Sequence, residues 1–423
     1  MKKWLIILLA VAGVTWWLTA APRNEIGCCI ADSVTFDAAT TELTDAVDQS
    51  SAFAAGIEEI VLDLPAYDDA VFLDDGKTIY VTAHDGKIWR VDLAAHIAEP
   101  LVDAPLMAWG IHEAPDDPAV IYFCSSGAYE DRPAGEAVGL YRLDLDTRVV
   151  KPLVLNVPQT SRAMQRPIVY ADHDTRAPEL RFNEKNDLAV RKLIVCDNLE
   201  VSEDGRRIYF SEPFDYENSS TDDAIDEAIA LAPNGRLWLY DLDSHSVRLV
   251  AEGFHFINGV LIDPHPGRIR EQSVIVTQTS QFRVARFFLN GPKAGTSEIV
   301  IDSLPGMPDG MDRDAHGRIW LAMFTDRSPL LTWVHENAWI KPVIMRLPVS
   351  LLLTQTQRTG VVVLSPDGGT PLYSAFYEGP ELASIASAVP APSGIYLANV
   401  KLDGDRNAVR GIQRLAWPEA LAN

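Results

Sequence analysis

Residues 306–323, GMPDGMDRDAHGRIWLAM, hold a carboxylate (Asp309) in a Pro-Asp-Gly turn, then a polar Asp-Ala-His-Gly turn, then an alternating strand pattern. A turn that closes a hairpin-like step behind an acidic residue presents that carboxylate at the entry of a strand. Three other stretches copy the plan: AYDDAVFLDDGKTIYVTA from Ala66, CDNLEVSEDGRRIYFSE from Cys196, and INGVLIDP followed by SVIVTQT from Ile257. Weaker counterparts stand at Trp109-Gly110 and at residues 384–389. Between these starts, runs such as AVIYFCSS, GRLWLYDL, FRVARFFL and GVVVLS are rich in β-branched and aromatic residues and are bounded by Gly, Asp and Pro turns.

Six starts separated by about 40 to 90 residues indicate radial repetition, and the expected fold is all-β: a six-bladed β-propeller over residues 56–418. A propeller brings the innermost strand of every blade to a central channel, so residues at the strand starts converge at one mouth. Paired β-sandwiches have no reason to repeat an acidic strand entry. Two insertions interrupt the pattern. Residues 146–195 read as a long loop over one face. Residues 326–350, DRSPLLTWVHENAWIKPVIMRLPVS, read as a helix packed beside the channel mouth, with contact to a membrane as the other reading.

The amino terminus places Met1-Lys2-Lys3 before an apolar run over residues 4–21. This is a signal peptide or, with its length and Trp16-Trp17 near the outer interface, an uncleaved signal-anchor helix. Either reading puts the propeller outside the cytoplasm, anchored through the helix or secreted after cleavage. Residues 22–55 lack periodicity and read as a linker. The chain carries 36 Lys plus Arg against 59 Asp plus Glu, a formal charge of -23, which repels phosphate backbones and argues against nucleic-acid binding. Of the four cysteines (Cys28, Cys29, Cys124, Cys196), none forms a C-x-x-C pair. Buried free thiols at Cys124 and Cys196 are the expectation, with a bridge between them as the alternative.

These segments resemble the strictosidine synthase-like family, which includes the adipocyte plasma-membrane-associated proteins, and more distantly the gluconolactonase/regucalcin and paraoxonase propellers. The resemblance covers most of residues 57–416 and rests on AYDDAV, DNLEVSEDGRRIYFSEP, NGRLWLYD, INGVLID, FRVARFFLNGPKAGTSEI, LPGMPDGMDRDAHGRIWLAM and WIKPVIMRLP, in that order. It implies a divalent cation, usually Ca²⁺, in the channel, with Asp68, Asp197, Asn258 and Asp309 at the ligand positions. Asn198 is an alternative to Asp197, because the family commonly has Asn-Asp where this chain has Asp-Asn. Asp68 replaces a more common Glu. Three carboxylates and a carboxamide suit a hard cation that takes six to eight oxygens.

The resemblance further implies hydrolysis of lactones and aryl or phosphate esters, with a metal-polarised carbonyl attacked by activated water. Asp309 is the expected base or metal-bound anchor, Asp69 its support, and His112 a candidate that reaches the channel, a satisfied structural histidine being its other reading. His255 is a similar case. The paraoxonase-like branch has a His where Trp109 stands. Strictosidine synthases proper have a glutamate where this chain has Ser387 or Ala388, which argues against alkaloid-forming condensation. No G-x-S-x-G or H-E-x-x-H occurs, so serine-nucleophile and zincin chemistry are unsupported. The competing expectation is a membrane-tethered, calcium-stabilised propeller without catalysis.

Overall fold

The computed structural model describes residues 13, 15, 30–39, 43, 47–48, 53, 55–60, 63–73, 76–127, 137–160, 166–216, 221–263, 271–352, 358–379, 382, 384–400 and 411–421. Residues 4–21, but for 13 and 15, and Cys28 and Cys29 lie outside them. The expected anchor helix is therefore not shown: among the described residues no helix is long and apolar enough to cross a membrane.

Six antiparallel sheets form the blades. Their innermost strands are Tyr67–Leu73, Met107–Ala114, Leu199–Val201, Ile257–Ile262, Gly306–Arg313 and Ile385–Ala391 in blades 1 to 6. The blade-6 sheet takes its outermost strand, Ile57–Glu59, from the start of the propeller; it pairs antiparallel with Gln413–Leu415. That strand ties the two ends of the chain into one sheet. The Tyr67 hydroxyl adds a bond from blade 1 to the Leu397 carbonyl of blade 6 at 2.8 Å. Inside each blade the alternating apolar residues face the neighbouring blade. Phe123 and Tyr141 of blade 2, for example, share a buried cluster with Tyr80 and Ile88 of blade 1. Burial of these faces supplies the main driving force for closure.

Several expectations are corrected. Residues 146–195 are not a plain loop: Asn156–Pro158 pairs with Val190–Lys192, and Arg191 of this ribbon pairs with Glu212 of blade 3. The segment also supplies the outer strand Val149–Val154 of blade 2, and Ile168–Val169 and Glu179–Arg181 pair with the edge strand Ser246–Phe254 of blade 3. These strands lie on the rim because the edge strand of a blade offers unpaired amides and carbonyls. Cys124 and Cys196 are not free thiols but a disulfide across 72 residues of sequence, with Cα atoms 5.0 Å apart. Blade 2's second strand and the approach to blade 3's innermost strand run side by side, which sequence spacing alone does not reveal. The linker is also partly ordered: Val47–Asp48 adds a parallel strand to the outer edge of blade 5.

Insertions between the second and third strands of blades 3 and 5 rise at the mouth where the innermost strands begin. They carry helices Thr221–Ala230 and Pro329–Glu336, and then the short turns Lys341–Ile344 and Val349–Leu352. Val195, Phe214, Tyr216, Ile229, Val334 and Met345 form a small apolar core beneath them. Residues 326–350 thus do pack beside the mouth.

Candidate functional site

Five innermost strands open on an irregular step. In blades 1, 2, 4, 5 and 6 the register slips between Tyr67 and Ala70, Ala108 and Ile111, Ile257 and Val260, Pro308 and Met311, and Ile385 and Ser387. A bulge leaves an amide without its ladder partner, and a hydroxyl on the second strand satisfies it. Asp69 N–H donates to Thr82 Oγ1 at 3.0 Å, Asn198 N–H to Ser211 Oγ at 3.0 Å, and Gly259 N–H to Thr277 Oγ1 at 2.7 Å. The sequence reading missed these three hydroxyls. Their signal was a Ser or Thr near the end of each second strand.

The bulge sorts the two residues ahead of the regular strand. The second of them faces sideways. Asp69 Oδ2 accepts from Ile111 N–H of blade 2 at 3.1 Å, and Asn198 Oδ1 from Val260 N–H of blade 4 at 3.2 Å. Other blades have glycine at this place because the next blade's backbone is too close for a side chain. A Cβ on Gly259 would stand 2.5 Å from the Asp309 carbonyl oxygen, and one on Gly110 2.8 Å from that of Asp197. In blade 6 the place belongs to Ser387, whose hydroxyl donates to the Asp68 carbonyl at 3.2 Å.

The first residue of each pair belongs to the mouth: Asp68, Trp109, Asp197, Asn258 and Asp309. Asp197 and Asn198 therefore do different things. The Asp197 carboxylate joins the acids of the mouth, whereas the Asn198 carboxamide is spent on the contact to blade 4.

The electrostatics follow from this convergence. Burial, then the charges of Asp309, Asp197 and Asp69, hold the Asp68 carboxyl well above the usual carboxylate range. Burial and Asp197 do the same to Asp309, with the Asn258 amide offsetting part of the effect by donating to it. Asp197 is pushed up to about 7 by burial and Asp69. Burial raises Asp69 to about 6, against hydrogen bonds from Ser387, Ile111 and Ala70. No Lys or Arg among the described residues pairs with Asp68, Asp197 or Asp309.

Uncompensated carboxylates beside a carboxamide are a donor set that fits a hard cation. As they stand, no three Asp, Glu, His or Cys side chains among the described residues are gathered tightly enough to enclose an ion. Three like charges repel, and a bound cation is the species that would draw them together.

His112 lies deeper. It lines a channel cavity of about 210 Å³ with Asp69, Glu200 and Asp312. Its Nε2 is 3.4 Å from Glu200 and its Nδ1 3.5 Å from Glu113. Burial disfavours its charge, but Glu200 and then Glu113 outweigh this and raise its pKa to about 10. Favoured in its charged form by these carboxylates, the imidazole is a poor general base at neutral pH. Glu200 and Asp312 escaped the sequence reading because they sit inside strands that read as ordinary alternation. His255 is pushed down to about 4 by burial and Arg283; it lies in the roof rather than among the acids.

A family model described as SMP-30/Gluconolactonase/LRE-like region matches residues 52–332. The adipocyte plasma membrane-associated protein of Danio rerio is 30% identical over 207 residues, 48% of each chain. That of Salmo salar is 28% identical over 219 residues, 50% of each. Protein STRICTOSIDINE SYNTHASE-LIKE 13 of Arabidopsis thaliana is 34% identical over 120 residues, 28% of each. The chain thus spans about half the length, or less, of the curated relatives it matches. Among solved structures, a gluconolactonase from Xanthomonas campestris superposes with a TM-score of 0.52 at 14% identity, over 92% of this chain and 98% of that one. A luciferin-regenerating enzyme superposes with a TM-score of 0.50 at 12% identity, over 86% and 95%. At such identities the superpositions speak for the six-bladed fold alone, while the match over residues 52–332 decides the kinship: the chain belongs to the SMP-30/gluconolactonase/LRE-like propeller family.

Proposed function

We propose that this protein is a calcium-dependent hydrolase of lactones or aryl esters, acting at the channel mouth bounded by Asp68, Trp109, Asp197, Asn258 and Asp309. One observation carries the reading: oxygen donors from blades 1, 3, 4 and 5 converge on one mouth, and no Lys or Arg among the described residues pairs with the three acids. Asp68, Asp197, Asn258 and Asp309 would hold the ion. When bound, it would polarise the substrate carbonyl and favour charge on its oxygen. Asp309 orients the attacking water and accepts its proton. Asn258 holds the Asp309 carboxylate by donating to it. Asp69, tied to Ile111, Ala70 and Ser387, keeps Asp68 in place from behind. Trp109, half-buried with its Nε1 donating to the Ser126 carbonyl at 3.3 Å, stands on the blade between those of Asp68 and Asp197.

The proposal also includes location. The apolar run over residues 4–21 anchors the chain in a membrane with the propeller outside the cytoplasm. The Cys124–Cys196 disulfide supports an oxidising compartment.

The test is hydrolysis of an aryl ester, an aliphatic lactone and a sugar lactone by the purified protein, with Ca²⁺ and after chelation. Turnover that disappears with the chelator and returns with Ca²⁺ supports the proposal. No turnover on any of them, with Ca²⁺ still raising the melting temperature, moves the reading to a calcium-stabilised binding propeller.

A second expectation concerns pH. Asp197 has a folded pKa near 7, above its unfolded value of about 3.9. Between these values the folded state binds more protons than the unfolded one, so stability falls as pH rises. Raised Asp68 and Asp309 act in the same direction. The metal-free protein should therefore melt lower at pH 8 than at pH 5, and Ca²⁺ should restore more stability at pH 8. Calorimetry at both pH values with and without chelator measures this; equal Ca²⁺ effects would show that the three acids are not its ligands.

A further inference from the structure

The helical roof has two apolar sides. Val334 and Met345 point into the small core above the mouth, with Leu331, Ile344 and Leu352 packed around them. The same segment leaves Leu330, Trp333, Trp339 and Leu351 uncovered at 53%, 45%, 71% and 67% exposure. Leu330 and Trp333 share one face of Pro329–Glu336 by their three-residue spacing. A soluble surface has no use for two exposed tryptophans among leucines, and such a patch marks a contact.

What covers it is indicated by the chain that enters there. Residues 31–37 are stitched to this same roof. Ala31 N–H donates to the Ala230 carbonyl at 2.9 Å, Val34 N–H to the His335 carbonyl at 2.9 Å, and Ala338 N–H to Ser33 Oγ at 3.2 Å. Arg327 reaches the Asp37 carbonyl at 2.6 Å. The apolar run ends at Ala21, nine residues before Ile30, and nine extended residues reach at most about 30 Å. A bilayer that takes up residues 4–21 is therefore within reach of the exposed side of the roof. Tryptophan favours the bilayer interface, and the chemistry of the patch suits lipid without help from charge, since the chain carries -23.

We infer that the outer side of the roof, formed by Leu330, Trp333, Trp339 and Leu351, docks on the surface of a lipid bilayer. The channel mouth then lies beside the membrane. The inference uses the membrane reading of residues 4–21 only for proximity, and it makes no use of the catalytic proposal.

The experiment is a depth measurement by spin label on the full chain in phosphatidylcholine vesicles. Labels are placed at Leu330→Cys, Leu351→Cys and, as a control on the outer strand of blade 1, Ile97→Cys, in a Cys28→Ser/Cys29→Ser background. Flotation with the vesicles reports the anchor; relaxation by oxygen against a water-soluble nickel chelate reports the depth of each label.

The expected result is that labels at 330 and 351 become accessible to oxygen and at least fivefold less accessible to nickel than the label at 97, unchanged by 0.5 M salt. Trp333→Glu with Trp339→Glu should return them to water while flotation persists. Floating protein whose 330 and 351 labels stay as nickel-accessible as the one at 97 overturns the inference. So does equal shielding without vesicles, which would mean that a second copy covers the face. Protein that does not float, with its roof labels in water, overturns it together with the anchor.

Discussion

Asp309→Ala is expected to lower kcat/KM for the best lactone or ester substrate by about 1,000-fold, the equivalent of about 4 kcal/mol of transition-state stabilisation lost with metal and base together. Calcium affinity, read by titration calorimetry, should fall below detection at millimolar ion. Two comparisons separate this from unfolding. Burial, Asp197 and Asp69 disfavour the ionised form of Asp309, so its removal takes a source of repulsion away from the metal-free protein at high pH. Chelated Asp309→Ala should then melt no lower than the chelated parent at pH 8. Asp309→Asn keeps an oxygen donor and removes the charge, so it should retain weak calcium binding while losing most turnover. Full activity in Asp309→Ala would remove Asp309 from the mechanism. A matching drop in the stability of the chelated protein would instead assign it to the fold.

Removing the Cys124–Cys196 disulfide should have the largest effect on stability. Its 72-residue separation corresponds, in the chain-entropy account, to about 4 kcal/mol of stabilisation. The bond also acts on the site. Cys196 precedes Asp197, and its backbone is held twice by Ser126, whose hydroxyl accepts from Cys196 N–H at 2.8 Å and donates to the Cys196 carbonyl at 2.6 Å. Covalent bond and hydroxyl together define where the Asp197 carboxylate stands. Cys124→Ala with Cys196→Ala should therefore show a lower urea midpoint and, in the protein that remains folded, about tenfold weaker calcium binding. Ser126→Ala should reproduce a smaller share of the second effect with little of the first. A double variant that loses less than about 1 kcal/mol and binds calcium as before would leave the bond with neither role.

The repeat was open to reading because its signal is local. A turn, an acidic or amide residue and an alternating strand occupy neighbouring positions, and six recurrences leave few architectures that bring them together. The acids at 68, 197 and 309 and the amide at 258 were picked out for the same reason. Division of labour within each pair was not accessible in this way. Asp197 and Asn198 are adjacent, both are oxygen donors, and their order is reversed relative to the family. Only the backbone pairing at the strand entry, with Ser211 holding the Asn198 amide and Val260 N–H donating to its carboxamide, turns one to the mouth and the other to the next blade.

The same holds for long-range partners. The disulfide joins residues that no spacing rule connects, because the path between them runs around blade 2. His112 carried the right chemistry for a base, but only the fold puts Glu200 beside it, where it and Glu113 favour the charged imidazole. Residues 146–195 looked like a covering loop because their short strands are too weak to read alone; they form because blade 3 offers an open edge.

Amino-acid order was thus enough to specify the number of blades and the mouth at which the acids gather. These depend on periodicity and residue type, which are properties of short windows. The roles of neighbouring donors, the protonation of the channel and the disulfide depend on which blades touch. That is settled when the first strand, Ile57–Glu59, pairs with Gln413–Leu415 and closes the ring.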